Sequence, residues 1–411
     1  MNDSSDNEVF FNNENNEQHN RISYDSFSDV SLIGGYNLRK IFVKNFWKYL
    51  IVIGSYYALP SLQFIFFQVH DANVHCYYNN KCKHDYNNIP AFNNVVSNIG
   101  YIVLGLLYIF YVRYTFVSYH NYGLKNIKAL YYSLGVVLIL EGIFSALYHI
   151  CPSKLNFQFD TTFMFVGTSL MILTLYNKRH PDNLPSAFYI YNFLALVILL
   201  NILPLSGISD GAEVWFWLLI YVLVVYIMIV GTINVYYGKN WKFNKNIFKK
   251  VKDFKHFIQN MRPKDFPKFV VLIISNLMTL LMLIFGSIYK VDFTQWMLAL
   301  FIGNLIIYFV FYIVNKLYYG ERISFSMWIL ILVDITILSV SLIFYNIAVS
   351  DKMLTPQQSD TLNKPCVLFD YFDYHDLWHL FSSVGIFLLM VIFYKVDNDL
   401  INTENRYIKV F

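Results

Sequence analysis

The stretch ALYYSLGVVLILEGIFSALYHICP, residues 129–152, decides how this chain is read. It is long and apolar enough to cross a hydrocarbon core as one helix, for which about 20 such residues suffice. It nevertheless carries Glu141, Ser145 and His149 at four-residue intervals, a spacing that stacks side chains on one helix face. Ionisable groups at membrane depth are costly and rare, and by default mark a functional site. Pro152, just past His149, suits a helix end.

Working outward, the same signature recurs. Asp160 opens the next apolar run, and His375 and His379, again four apart, open the last. The 411 residues are 56% hydrophobic, 19% aromatic and only 14% charged, against about 25% charged for a soluble domain. The fold class that follows is an all-α, polytopic membrane protein. Apolar runs of span length give about ten helices. Their expected starts are near Tyr49, Phe92, Ala129, Asp160, Ser186, Val214, Phe269, Trp296, Phe325 and His375. No cleavable signal opens the chain, so the first helix is expected to insert itself. Pro60 inside the first span suggests a kink.

Basic residues orient the bundle. With both termini cytosolic, the inner segments hold Arg39, Lys40, Lys44 and Lys48, then Lys125 and Lys128, Lys178 and Arg179, the stretch Lys239 to Lys268, Lys316 and Arg322, and Arg406 and Lys409. The outer loops keep only Lys81, Lys83, Lys154, Lys290, Lys352 and Lys364, as the positive-inside rule requires. All four cysteines, Cys76, Cys82, Cys151 and Cys366, then fall outside, on a disulfide-permissive face. Two bridges are expected, with three pairings open: Cys151 to Cys366, or each of these to the Cys76–Cys82 loop. The expected compartment is the plasma membrane or an endolysosomal membrane.

Residues 1–36, rich in Asn, Asp, Ser and Glu, are expected to form a disordered cytosolic tail. The membrane domain spans 45–395 and a short tail 396–411 follows. In the basic loop 237–268, Ile247, Val251, Phe254, Ile258 and Met261 recur at helical spacing, describing an amphipathic helix on an anionic inner leaflet.

Under this topology Ser145, His149, Asp160, His375 and His379 share one depth near the outer face. Three imidazoles with an open fourth position are a catalytic zinc arrangement, so the expected cofactor is zinc held by His149, His375 and His379. Asp160 is the candidate to orient or deprotonate a zinc-bound water, and Ser145 to hold that water or an oxyanion. Glu141, Asp373, Asp376 and Asn98 are candidates for the surrounding polar shell, the acids as fixers of imidazole tautomers. Taken singly, Ser145 reads as a small packing residue and Asp160 as a helix cap; their common depth is what argues for a metal site.

The segments Phe92-Asn-Asn-Val-Val-Ser-Asn-Ile-Gly100, Glu141 to Pro152, Asn156-Phe-Gln-Phe-Asp-Thr161, Lys178-Arg-His-Pro-Asp182 and His375-Asp-Leu-Trp-His379 resemble the membrane core of the SID (systemic RNA interference-defective) transmembrane family. The likeness covers most of residues 45–395. It extends to the CREST superfamily of alkaline ceramidases and progestin and adipoQ receptors through Ser97-Asn98, the Ser-x-x-x-His followed by Asp, and Trp378 before the second histidine. The resemblance implies the same zinc ligands beside Ser145 and Asp160, and hydrolysis of a lipid amide or ester such as ceramide or a phospholipid. It equally implies a second function, transport of double-stranded RNA or cholesterol with a structural zinc, and a third, a lipid-binding receptor. The partners implied are a membrane lipid, double-stranded RNA or cholesterol, and a homo-oligomer is compatible with them. Members usually carry a large extracellular β-rich region before this core; residues 1–36 stand there, which lowers the expectation of RNA uptake.

Overall fold

A computed structural model describes residues 45–71, 74–117, 122–124, 127–180, 187–205, 210–237, 266–289 and 292–411. The Asn-rich tail, most of the basic 237–268 loop and the expected start at Ser186 lie outside the described residues. The helices are α1 (Phe46–His70), α2 (Phe92–Val96), α3 (Ile99–Thr115), α4 (Lys128–Ile150), α5 (Phe157–Arg179), α6 (Ala187–Leu205), α7 (Asp210–Tyr237), α8 (Phe266–Ile288), α9 (Phe293–Tyr318), α10 (Phe325–Tyr345), α11 (Pro356–Thr361) and α12 (Tyr374–Lys395). Among the described residues eight spans are long and apolar enough to cross a membrane, with shorter apolar stretches at Ile190–Leu200 and Val214–Ile229 in α6 and α7. Together they match the ten expected helices of a multi-pass integral membrane protein.

Several helices, among them α1, α5, α8 and α9, begin about a turn before the expected start, and two helix starts carry polar caps that satisfy free N–H groups. Asp292 accepts from Gln295 N at the start of α9, and Ser324 from Met327 N at the start of α10. Asp160 is correspondingly in the first turn of α5 rather than its cap, which is Asn156. Pro60 lies within α1, which is assigned helical on both sides of it.

The centre of the bundle is α4, which packs against α1, α2, α3 and α5, while α12 packs against α3 and α10. In their apolar windows α4 and α5 bury 72% of positions and α8 only 17%, so the first pair forms the interior and α8 faces outward. Small residues permit this crowding. A Cβ placed on Gly105 would lie 2.8 Å from Gly135 O, and one on Gly100 would lie 2.6 Å from Ser383 Oγ. Alanine at Gly105 would therefore push α3 off α4.

At the end of the bundle away from the histidines, a buried charge cluster replaces apolar packing. Lys178 Nζ meets Asp397 Oδ2 at 2.7 Å, and Arg179 meets Asp397 Oδ1 at 2.7 Å. Arg179 also makes a two-pronged contact with Glu321, Nη1 to Oε1 at 2.8 Å and Nη2 to Oε2 at 2.7 Å. Lys316 Nζ reaches Asp399 at 2.6 Å and Glu321 at 3.1 Å, and Tyr312 donates to Asp397 Oδ2 at 2.7 Å. Lys178, Arg179 and Lys316 are thus balanced by Glu321, Asp397 and Asp399. The sequence pattern places these cations in inner segments; the structure buries them. It also packs the 396–411 tail, with Phe411 1% exposed and its ring 4.4 Å from the Arg179 guanidinium.

Removing one partner from a buried network strands the others, at a cost of about 3–5 kcal/mol. Asp397→Asn is therefore expected to lower the thermal unfolding temperature in detergent sharply. Asp399→Asn, at the exposed edge with a side chain 24% accessible against 5% for Asp397, should lower it far less. Equal shifts would show that the cluster does not act as a unit.

Candidate metal centre and its cavity

Helix periodicity on α4 and α12 builds the site. Ser145 and His149 share the inward face of α4, and His375 and His379 that of α12. The ligand nitrogens of His149, His375 and His379 lie within 4.8 Å of one another, and the ring centroids are 4.7 to 5.1 Å apart. His149 Nε2 and His379 Nε2 are 2.9 Å apart, and buried His375 Nε2 has no hydrogen-bond partner. An orphaned buried nitrogen costs free energy unless something binds it. Three imidazole nitrogens this close suit one ion with bonds of about 2.0–2.1 Å, so the donor set fits a metal. A second group, Cys82, His84 and Cys366, is closed by a disulfide.

Asp160 lies beside the triad, 2% exposed, and accepts from Ser145 Oγ at 2.5 Å. Tyr101 OH stands 3.5 Å from His379 Nδ1 and 2.5 Å from Ser382 Oγ, and Trp378 packs 4.5 Å from His379 and 5.0 Å from His375, ring to ring. A cavity of about 280 Å³ opens onto His149, His375 and Asp160 and is walled by Phe157, Tyr345, Lys352 and Trp378.

Asp373 and Asp376, expected beside the imidazoles, bond elsewhere. Asp373 Oδ1 accepts from His375 N at 2.8 Å and Asp376 N at 3.0 Å, while Asp376 Oδ2 accepts from Asp373 N at 3.0 Å. This capping box is gripped from outside. Asn79 donates to Asp373 at 2.9 Å, and Asn93 and Asn94 donate to Asp376 at 3.1 and 3.0 Å. The carboxylates thus fix the helix that presents the histidines rather than the rings. Glu141 Oε2 and Asn98 Oδ1 are buried with no hydrogen-bond partner, Asn98 turning its amide to Asn94 O at 2.9 Å. Sequence reasoning missed Tyr101, Asn79 and the roles of Asn93 and Asn94; the Asn pair stood in a quoted motif, but its partner lies far along the chain.

The bridges are Cys76–Cys151 and Cys82–Cys366, one of the two pairings in which both later cysteines reach back to the 76–82 loop. That loop is wedged between the two partners: Tyr77 N donates to Pro152 O at 2.7 Å, and Lys364 N to Asn79 Oδ1 at 3.1 Å. Both bridges tie down the segments that carry the histidines.

Elemental analysis of the purified protein should find about one metal ion per chain, lost in His375→Ala. Asp376→Asn, which loosens the helix start that presents His375 and His379, should keep the ion but weaken it about 10-fold in chelator competition, the lower end of the effect of removing an outer partner. Full metal in His375→Ala would sink the triad as the site.

Residues 4–411 match the family model described as dsRNA-gated channel SID-1. SID1 transmembrane family member 1 of Homo sapiens is 33% identical over 387 residues, covering 89% of this chain and 46% of that protein. The Mus musculus protein of the same name is 34% identical with the same coverage. Cholesterol uptake protein 1 of Caenorhabditis elegans is 31% identical over 385 residues, 88% of this chain and 50% of that protein. The chain spans about half the length of these curated relatives. With the family model matched over nearly its whole length, the chain belongs to the SID-1 family of membrane proteins.

Proposed function

We propose that this chain is a membrane uptake protein for double-stranded RNA or cholesterol, with the histidine site holding a structural zinc on the outer side. The observation that carries this reading is the family match over residues 4–411, joined by a relative named for cholesterol uptake. The geometry supports a bracing role for the ion. His149 on α4 and His375 and His379 on α12 would be joined through it, at the same end that the two disulfides cross-link. A cavity of about 280 Å³ is far smaller than a turn of duplex, so RNA passage needs helices to part. A sterol can instead enter from the bilayer.

A second reading, hydrolysis of a lipid amide or ester, is favoured by the Ser145–Asp160 contact of 2.5 Å beside the triad. When bound, zinc supplies an activated water at neutral pH. In this reading Asp160 would be the proton acceptor, and Ser145 would orient Asp160 or donate to an oxyanion.

Labelled duplex RNA and labelled cholesterol, offered separately to cells expressing the protein, distinguish the cargoes. Accumulation of at least one is expected to exceed vector controls and to fall to background in His149→Ala/His375→Ala. If neither rises with protein at the cell surface, uptake is wrong. Asp160→Asn at unchanged zinc content separates the chemistries. On the uptake reading cargo accumulation is preserved, whereas on the hydrolase reading fatty-acid release falls by about 10²–10⁴-fold.

A further inference from the structure

The segments that precede α2 and α12 hold a second cluster of metal-ligating side chains, made of none of the triad's residues. Cys82, His84 and Cys366 bring two sulfurs and a ring nitrogen within 4.8 Å of one another, Cys82 buried and the other two half-buried. While the Cys82–Cys366 bridge is closed, both sulfurs are spent on each other. His84 plays no part in that bond, yet its Nε2 stands 3.5 Å from Cys366 Sγ. The ring is held there by stacking on Tyr371, with centroids 4.9 Å apart and planes at 22°. Its backbone is fixed as well: His84 N donates to Asn93 Oδ1 at 3.1 Å, and Phe92 N donates to His84 O at 2.7 Å. A bridge needs no imidazole, and the Cys76–Cys151 bridge has no such third donor among the described residues.

What the imidazole adds follows from opening the bridge. Reduction breaks the S–S bond and adds two electrons and two protons, leaving two thiols. A dithiol does this by becoming a disulfide itself, and a phosphine by taking oxygen from water to become its oxide. Binding a metal then expels the two thiol protons, because the thiolate is the ligand. Two thiolates and a neutral imidazole suit zinc or a similarly thiophilic ion, with water as a fourth ligand. Disulfides persist only in oxidising surroundings, so the state of this cluster follows the redox poise around it.

The consequence is mechanical. Cys366 enters the turn that Val367 N closes on Phe372 O at 2.8 Å, and this turn delivers Asp373 and the capping box of α12. Cys82 O accepts from Asn93 Nδ2 at 3.0 Å, and Asn93 also grips Asp376. Opening the bridge removes the covalent tie between these segments, and an ion on the same residues would restore it.

We propose that Cys82, His84 and Cys366 form a redox-gated metal site. It is shut while the bridge is closed, and once reduced it takes a thiophilic divalent ion that keeps the start of α12 tied to the segment before α2. This does not rest on the uptake reading, and its readout is metal binding, so either can fail without the other.

Purified full-length protein would be treated with excess phosphine, its thiols counted, and Co²⁺ titrated in. Thiolate ligation gives Co²⁺ a near-ultraviolet charge-transfer band that imidazole ligation does not, so the histidine triad is silent in this readout. Reduced wild type is expected to develop the band with about one ion per chain, and oxidised wild type none. His84→Ala keeps all four cysteines and should weaken Co²⁺ by more than the roughly 10-fold lost with an outer partner. Zn²⁺ should raise the unfolding temperature of the reduced wild type more than that of reduced His84→Ala. Three results would each overturn the proposal: no band in the reduced wild type, a bridge that phosphine leaves closed, or a His84→Ala titration that overlays wild type. In the last case any freed thiols, those of Cys76 and Cys151 included, account for the band.

Discussion

A helix packed on most of its sides must find partners for its buried polar groups largely within the protein. That constraint falls on α4, and the rest of the structure follows from how it is met. Ser133 turns back to Ala129 O at 2.8 Å, Ser145 donates across to Asp160 on α5, and His149 meets His379 on α12. Two of these three solutions bring in a neighbouring helix, and Glu141 Oε2 is left without a partner. The partners of α4 are therefore set by chemistry as well as by the close approach allowed at Gly105 and Gly135.

The interior helices are braced at both ends by different physics. At the histidine end, two disulfides and the asparagine grip on Asp373 and Asp376 hold the segments flanking α4 and α12. At the other end, Lys178, Arg179 and Lys316 meet Glu321, Asp397 and Asp399 in a low-dielectric pocket, where pairing is obligatory because stranded charges are so costly. Helices α8 and α10 bury a far smaller share of their positions than α4 and α5.

Membership of the SID-1 family sets the frame in which the site is to be understood, but family does not dictate chemistry. The same three histidines serve a brace and a catalyst equally well. What distinguishes the roles is the set of charged groups that face the cavity, Asp160 and Lys352, with Ser145 donating to Asp160 from behind.

Much of this was legible along the chain. Apolar runs of span length revealed the ten helices, and four-residue spacing revealed the paired faces of Ser145 with His149 and of His375 with His379, because helical geometry converts spacing directly into direction. The start of α5 lies at Phe157, three residues before the expected Asp160, because Gln158 and Asp160 break the apolar pattern of its first turn. The disulfide pairing, the grip of Asn93 and Asn94 on Asp376, the burial of Lys178 and Arg179, and the place of Lys352 over Phe157 were decided by tertiary structure alone. The bridges join residues 75 and 284 positions apart and the asparagine grip residues 283 and 282 apart, while the rest depends on what surrounds a side chain, and local sequence carries periodicity but not the identity of a distant neighbour. The sequence by itself thus determined the helices and which faces bear chemistry, while only packing in three dimensions decided which of those faces meet.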